Sequence, residues 1–219
     1  MLNKVIYFIT ACALLLVYYL MYPSSDVSES VDGEIQIKMS DLGIIDLCES
    51  MSVLYQNGLF SDLTVVVVED EFRVHKSILS ARSEIFREMF ESKKDLDKIV
   101  IDGLSKKAAS QMLFFIYTGH TEELTIETAV ELFVVADKYK LNLLKNSCSD
   151  MMVQNLNLNN AIEFLSLSNK HYDENLQSAS VDFIVANTLE VRQHSKWLEF
   201  IETHPKLADK VIESLASKY

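Results

Sequence analysis

The sequence predicts an α+β fold: a small sheet flanked by helices, then an all-helical extension, with a hydrophobic helix at the N-terminus. Three observations support this prediction. Residues 63–68 are an unbroken apolar and β-branched run, which is typical of a strand buried on both faces. From Leu156 onward the apolar residues recur only at helical spacing, and residues 5–22 carry no charge.

The N-terminal residues 1–22 are predicted to be a membrane anchor. At about 1.5 Å per residue, residues 5–22 nearly span a hydrocarbon core of about 30 Å. A cleaved signal peptide usually has a shorter apolar region that ends in a small-residue cleavage site, and residues 22–25 read Tyr-Pro-Ser-Ser. An uncleaved anchor therefore fits better.

Residues 23–40 are predicted to be an acidic linker that ends in a strand. Residues 23–33 are polar and rich in serine, with no core-forming pattern. Residues 34–39 then alternate, with Ile35, Ile37 and Met39 on one side, as in a short edge strand.

Residues 41–57 are predicted to be a helix, which Gly58 ends. Leu47, Met51 and Leu54 lie at i, i+4 and i+7 and form an apolar stripe about two turns long. Such a stripe is normally buried, either on its own domain or against a second copy of the chain.

The centre of the sequence predicts two strands and two helices in succession. The run 63–68 stops at the charged pair Glu69 and Asp70, where a tight reversal is expected. Residues 71–75 alternate polar and apolar, which predicts a second strand that pairs back on the first. Residues 76–81 have helical spacing, and Ser83 is a candidate N-cap for a helix at 84–91.

Later residues add one short strand and a series of helices. The strand is predicted at 98–101 and the next helix at 105–118, with Gly119 as its end. Thr125 caps the following helix, and the domain of residues 41–155 ends near Asn155. Residues 156–219 form the helical extension, in which Pro205 begins the last helix.

These residues resemble one family. The core of the BTB/POZ domain is similar to Phe60-Ser61-Asp62, Phe72-Arg73-Val74-His75-Lys76, the run 78–83, and Phe115-Ile116-Tyr117-Thr118-Gly119. His204-Pro205-Lys206-Leu207 resembles the end of the BACK-like extension of the speckle-type POZ proteins. The resemblance covers about residues 41–219, so we expect no MATH domain, which those relatives carry ahead of BTB.

The resemblance implies structural roles for several residues. Asp62 is expected to be a partly buried carboxylate satisfied by a nearby base or by backbone amides, and His75 to pack under the helices. The helix that matches residues 41–57 packs against its symmetry mate in BTB relatives. The resemblance therefore implies a homodimer interface at Leu47, Met51 and Leu54.

Composition argues against nucleic-acid binding, and the motifs argue against catalysis. A formal charge of −12 is unsuited to a phosphate backbone. The five glycines are scattered, and the histidines and cysteines do not fall at metal-ligand spacings. We therefore predict no enzyme activity, no cofactor, no metal and no small-molecule substrate.

Two functions stay open. The resemblance implies a homodimeric adaptor that recruits the cullin scaffold of a ubiquitin ligase, through Phe90, Leu96 and Tyr117. In cullin-binding relatives the loop after Phe90 carries a hydrophobic residue two positions before a Glu, and residues 91–97 have no clean copy of this motif. The alternative is a structural or membrane-tethered dimerisation protein that recruits no ligase.

The expected location is a membrane, with the BTB-like domain in the cytosol. The three cysteines are far apart, and no N-x-S/T sequon occurs, which fits a reducing compartment. The positive-inside rule favours the opposite orientation: Lys4 lies before the apolar segment and Lys38 after it, which weakly favours a cytosolic N-terminus and places the domain on the other side of the membrane. If the N-terminal segment is not retained, the cytoplasm or the nucleus is expected.

Overall fold

A computed structural model describes residues 39–218 of the chain. The predicted anchor at residues 1–22 and the linker as far as residue 38 lie outside the described residues. Met39, the last residue of the predicted edge strand, is instead the first residue of helix α1, Met39–Asn57. Gly58 follows α1 with φ +56°, and its N–H donates to the Leu54 carbonyl at 3.1 Å, as expected of a residue that ends a helix.

The sheet consists of β1 (Leu63–Val67), β2 (Asp70–Val74) and β3 (Lys98–Val100), in the order β2-β1-β3. β1 and β2 form an antiparallel hairpin in which Val67 pairs with Asp70. β3 runs parallel to β1, with Val65 opposite Ile99. The predicted strand pairing is confirmed, but β1 alternates buried and half-buried residues, so only one of its faces is fully covered.

Helices that follow β2 and β3 in the chain flank this sheet. After β2 come α2 (Lys76–Arg82) and α3 (Glu84–Ser92), and after β3 come α4 (Lys106–Thr118), α5 (Ile126–Lys138) and α6 (Asn142–Gln154). The predicted α+β class, a small sheet flanked by helices, is confirmed.

The predicted ends of these helices have the expected hydrogen bonds. The hydroxyl of Ser83 accepts from the Phe86 N–H at 3.2 Å, so Ser83 is the N-cap of α3. Thr125 caps α5 in a reciprocal pair with Thr128. Gly119 ends α4 with φ +84°, a left-handed conformation that glycine adopts without steric cost.

Most of the described residues after α6 are helical, as predicted. They form α7 (Ala161–Lys170), α8 (Glu174–Ala186), α9 (Thr188–Val191), α10 (Lys196–Thr203) and α11 (Pro205–Lys218). Pro205 occupies the first turn of α11, where its missing N–H removes no helical hydrogen bond.

The buried apolar residues form two clusters. The main core lies between the sheet and α2–α6, and includes Phe164 of α7 and Leu176 of α8. The second core lies within the extension, and its fully buried members are Ala161, Ile162, Leu165, Ile184, Val185, Val191, Phe200, Leu207, Ala208 and Val211. Helix α7 therefore contributes to both cores.

The structure corrects the predicted localisation. Across residues 39–218, every helix is either too short or too polar to traverse a bilayer. The prediction of a membrane-anchored protein with its domain in the cytosol is contradicted by this finding. Residues 5–22, on which that prediction depended, lie outside the described residues.

Candidate interaction surface

The apolar stripe of α1 is divided between the domain core and solvent. Met51 and Leu54 are half-buried and pack against the main core. Leu47 is 60% exposed, and Ile44, one turn earlier on the same side of the helix, is 61% exposed. The N-terminal half of α1 therefore carries an apolar face that the domain does not cover. Val53, on the opposite side of the helix, is 55% exposed.

His75 is buried, with 8% of its surface exposed, and joins three segments of the domain. Its Nε2 lies 2.7 Å from the Leu59 carbonyl oxygen, and because a carbonyl only accepts, Nε2 carries the proton. Nδ1 then accepts from the Tyr117 hydroxyl at 2.6 Å, and that oxygen accepts from the His75 backbone N–H at 2.9 Å. Both ring nitrogens of His75 therefore have a hydrogen-bond partner within the domain, and the role of His75 is structural.

Tyr117 and Asp62 do not lie where the sequence predicts. Tyr117 is only 6% exposed, so it is not part of a surface that could contact a cullin. Burial raises the pKa of its hydroxyl to about 12, although the hydrogen bond from His75 opposes that rise. Asp62 is exposed rather than partly buried, but its Oδ1 accepts from a backbone amide as predicted, the Lys76 N–H at 2.8 Å at the start of α2.

Phe90 and Leu96, the other two residues of the predicted cullin surface, are half-buried against the main core. The ring of Phe90 stacks on Phe86, with 6.1 Å between the ring centroids. The N–H of Leu96 donates to the Lys93 carbonyl at 3.3 Å, in the turn between α3 and β3. Phe90 and Leu96 thus keep some accessible surface, and the main core holds both.

Sequence reasoning missed two features. Ile44 lies three residues before Leu47, so the helical period that identified the stripe also extends to it. The second feature is a polar cluster of Asp137, Lys145 and His171, which come from α5, α6 and the loop after α7. No short-range spacing in the sequence relates these three residues.

The described residues show no arrangement suited to metal binding or thiol chemistry. Within residues 39–218, no three His, Cys, Asp or Glu side chains are grouped so as to hold a metal ion. Burial raises the pKa of the Cys148 thiol to about 12, which makes the reactive thiolate scarce. Burial also raises the pKa of Cys48, whose sulfur donates to the Thr118 carbonyl at 3.3 Å.

Comparison with known families identifies the sheet and its flanking helices. Residues 51–156 match the sequence model of the family described as the BTB/POZ domain. The chain contains a BTB/POZ domain. The BTB domain of zebrafish PATZ1 is a similar solved structure, with a TM-score of 0.47 and 22% identity, and it covers 55% of this chain and 99% of that one.

Two mouse proteins show how far the similarity extends beyond the BTB/POZ domain. TD and POZ domain-containing protein 1 is 36% identical over 199 residues, which are 89% of this chain and 52% of the relative. TD and POZ domain-containing protein 4 is 36% identical over 168 residues, or 75% of this chain and 45% of the relative. The chain spans about half the length of the curated relatives it matches. The predicted BTB/POZ domain is thus confirmed, whereas these relatives are TD and POZ domain-containing proteins and not members of the speckle-type group specifically.

Proposed function

We propose that the chain is a protein–protein interaction module that forms a homodimer through the N-terminal half of α1. The observation that carries this proposal is the apolar face of α1, which continues beyond the part that its own domain covers. Ile44 and Leu47 are each about three-fifths exposed, whereas Met51 and Leu54 pack on the main core. An exposed apolar face that continues a buried one is typical of a surface covered by a partner.

A second copy of the chain fits this face. A two-fold axis would bring the same residues together from both chains, so Ile44 and Leu47 would contact their counterparts. By helical geometry, Asp46 and Glu49 lie away from the stripe, so neither of these carboxylates has to enter the interface. The sequence predicts a dimer surface of Leu47, Met51 and Leu54. We propose instead that the surface consists of Ile44 and Leu47, with Met51 at its edge.

Light scattering of the full chain tests the dimer. We expect the wild type to run at twice the 25.0 kDa chain mass at tens of micromolar. The double variant Ile44→Asp, Leu47→Asp should run as a folded monomer. The dimer would have to bury four uncompensated carboxylates, at about 1–3 kcal/mol or more each. Met51 and Leu54 stay unchanged because the domain core needs them.

Val53→Asp is the matched control, because Val53 is similarly exposed on the other side of α1. This variant should remain dimeric. A monomeric wild type, or a control that dissociates as completely as the double variant, would refute the interface.

A finer proposal is that the dimer acts as an adaptor for a cullin-based ubiquitin ligase. The support comes from the family resemblance and from Phe90, which is partly accessible at the end of α3. Leu96 packs on the main core, so the turn at 93–97 would have to rearrange before this side chain entered a partner's pocket. Phe90 is therefore the residue that would anchor the contact.

Titration calorimetry of the full chain with a cullin N-terminal domain tests the adaptor role. We expect micromolar binding, at least about tenfold weaker in Phe90→Ser because buried aromatic anchors dominate interfaces. Leu143→Ser is the control, since Leu143 is 67% exposed on α6. Circular dichroism verifies that both variants fold. No heat from the wild type at high micromolar concentration would favour the alternative, a dimerisation protein that recruits no ligase.

We also propose that residues 156–219 are a BACK-like extension that follows a BTB/POZ domain at 41–155. The run of helices from α7 to α11 and the resemblance of residues 204–207 support this division.

A further inference from the structure

The loop between α7 and α8 is attached to the BTB/POZ domain by polar contacts on both of its sides. Lys145 of α6 donates to the His171 carbonyl at 2.6 Å. The carboxylate of Asp173 accepts from the Ser149 hydroxyl, also on α6, and from the Leu176 N–H, each at 2.9 Å. Between these attachments, Tyr172 has φ +53° and is 91% exposed. A tyrosine in the left-handed region is uncommon, so the surrounding contacts hold this conformation.

One carboxylate of the BTB/POZ domain, that of Asp137, accepts hydrogen bonds from two basic side chains at this loop. Oδ1 of Asp137 accepts from Lys145 at 2.6 Å, and Oδ2 accepts from Nδ1 of His171 at 2.9 Å. The side chains of Lys145 and His171 are only 14% and 11% exposed. Because Lys145 already neutralises Asp137, a charge on His171 would leave this site with a net positive charge.

The second ring nitrogen of His171 has no polar contact. Within the described part of the chain, Nε2 is buried and without a hydrogen-bond partner, and the imidazole lies edge-to-face on Phe133. Nδ1 carries the proton of the neutral ring, because the carboxylate that it faces only accepts. Protonation would therefore place an N–H at Nε2 with no acceptor, and burying an unpaired donor is costly.

We propose that His171, Asp137 and Lys145 form an acid-sensitive latch that holds the α7–α8 loop, and with it the helical extension, on the BTB/POZ domain. The charged groups that face His171 are Asp137 from α5 and Lys145 from α6, with Asp173 two residues along the loop. Asp173 accepts from Ser149 and from the Leu176 N–H and contacts neither ring nitrogen, so the balance at the ring is set by Asp137 and Lys145. When the ring is neutral, these two charges balance and the loop is held. When it is protonated, its charge opposes Lys145, and Tyr172 can leave its left-handed conformation.

Hydrogen exchange of the full chain tests the latch. Exchange is followed by NMR at about pH 7.5 and about pH 5.5, which bracket ordinary histidine titration. Rates are divided by the intrinsic rate at each pH to give protection factors. We expect the protection of amides 171–176 to fall about tenfold at the lower pH, through local opening. Amides within α4 serve as an internal reference and should keep their protection.

His171→Asn separates the latch from other titrating groups. Its amide nitrogen takes the place of Nδ1 and can still donate to Asp137, but it gains no proton in this range. Its loop protection should be equal at the two pH values, whereas His120→Asn, at an exposed histidine, should behave like the wild type.

Two results would overturn the latch. One is a wild-type loop whose protection is unchanged by pH, and the other is a loop and α4 that lose protection by the same factor. The wild-type comparison decides the question even if His171→Asn fails to fold.

Discussion

The main core and the second core bury similar side chains but are built differently. The main core is centred on aromatic rings, and Phe86 stacks on Tyr139 with 4.4 Å between the ring centroids. It joins elements from β1 to α8, so its contacts connect distant parts of the sequence. The second core is made mostly of Ala, Val, Ile and Leu from α7 onward, and Phe200 is its one fully buried aromatic residue.

This difference teaches that the extension depends on the domain before it. Phe164 of α7 belongs to the main core, whereas Ile162 and Leu165 of the same helix belong to the second core. Because α7 is shared, the second core is built on a helix that also packs in the main core. A small core also buries less apolar surface and gains less stability.

The largest expected difference between the two cores is in the free energy of unfolding that is lost when a buried phenylalanine of each core is replaced by alanine. Phe86 is fully buried, and Phe86→Ala should lower the free energy of unfolding by about 4–5 kcal/mol, since the cavity lies among rigid aromatic rings. Phe200→Ala should cost about 3 kcal/mol, because Trp197, which stacks on it with 5.7 Å between the ring centroids, is only partly buried and can move into the cavity. Urea unfolding of the full chain, followed by circular dichroism, measures both.

The comparison between the cores depends on Phe86→Ala costing more unfolding free energy than Phe200→Ala. Equal losses would mean that the second core is packed as rigidly as the main core, and the comparison between them would fail.

The main core was the part most easily predicted from sequence. Strands and helices followed from apolar period, and Ser83, Thr125 and Gly119 marked helix ends because capping chemistry is local. Burial was harder to predict, since it depends on tertiary neighbours. Asp62 is exposed, and its carboxylate oxygen accepts from the backbone N–H of Lys76 at the start of α2 rather than from a partner within the core.

The candidate interaction surface was predicted only in part. Periodicity located the stripe on α1, but it could not show that Met51 and Leu54 pack on the domain while Leu47 does not. Tyr117 was placed on a surface, although its hydroxyl is needed inside the domain by His75. The latch joins residues 34 positions apart, Asp137 and His171, and such a contact depends on the folded topology.

A smaller effect is expected at Asp137, where the two regions meet. Burial favours the neutral carboxyl group, but the hydrogen bonds from Lys145 and His171 and the charge of Lys145 outweigh it, so the pKa of Asp137 is lowered. A lowered folded-state pKa contributes stability that is fully present above the unfolded value, about 3.9. That stability is lost as pH falls through the folded-state value. The carboxylate is 38% exposed, so solvent screening keeps the effect modest.

Asp137→Asn tests whether this charge holds the two regions together. The variant should have a lower melting temperature than the wild type at about pH 7. The gap should narrow as the pH falls below about 4 toward the lowered folded-state pKa, at which the wild-type carboxylate also becomes neutral. Asp182→Asn, at an exposed carboxylate on α8, should show little gap at either pH. A gap that stays constant with pH would mean that Asp137 acts through its shape rather than its charge. The joint between the two cores would then depend on apolar contacts such as those of Phe164.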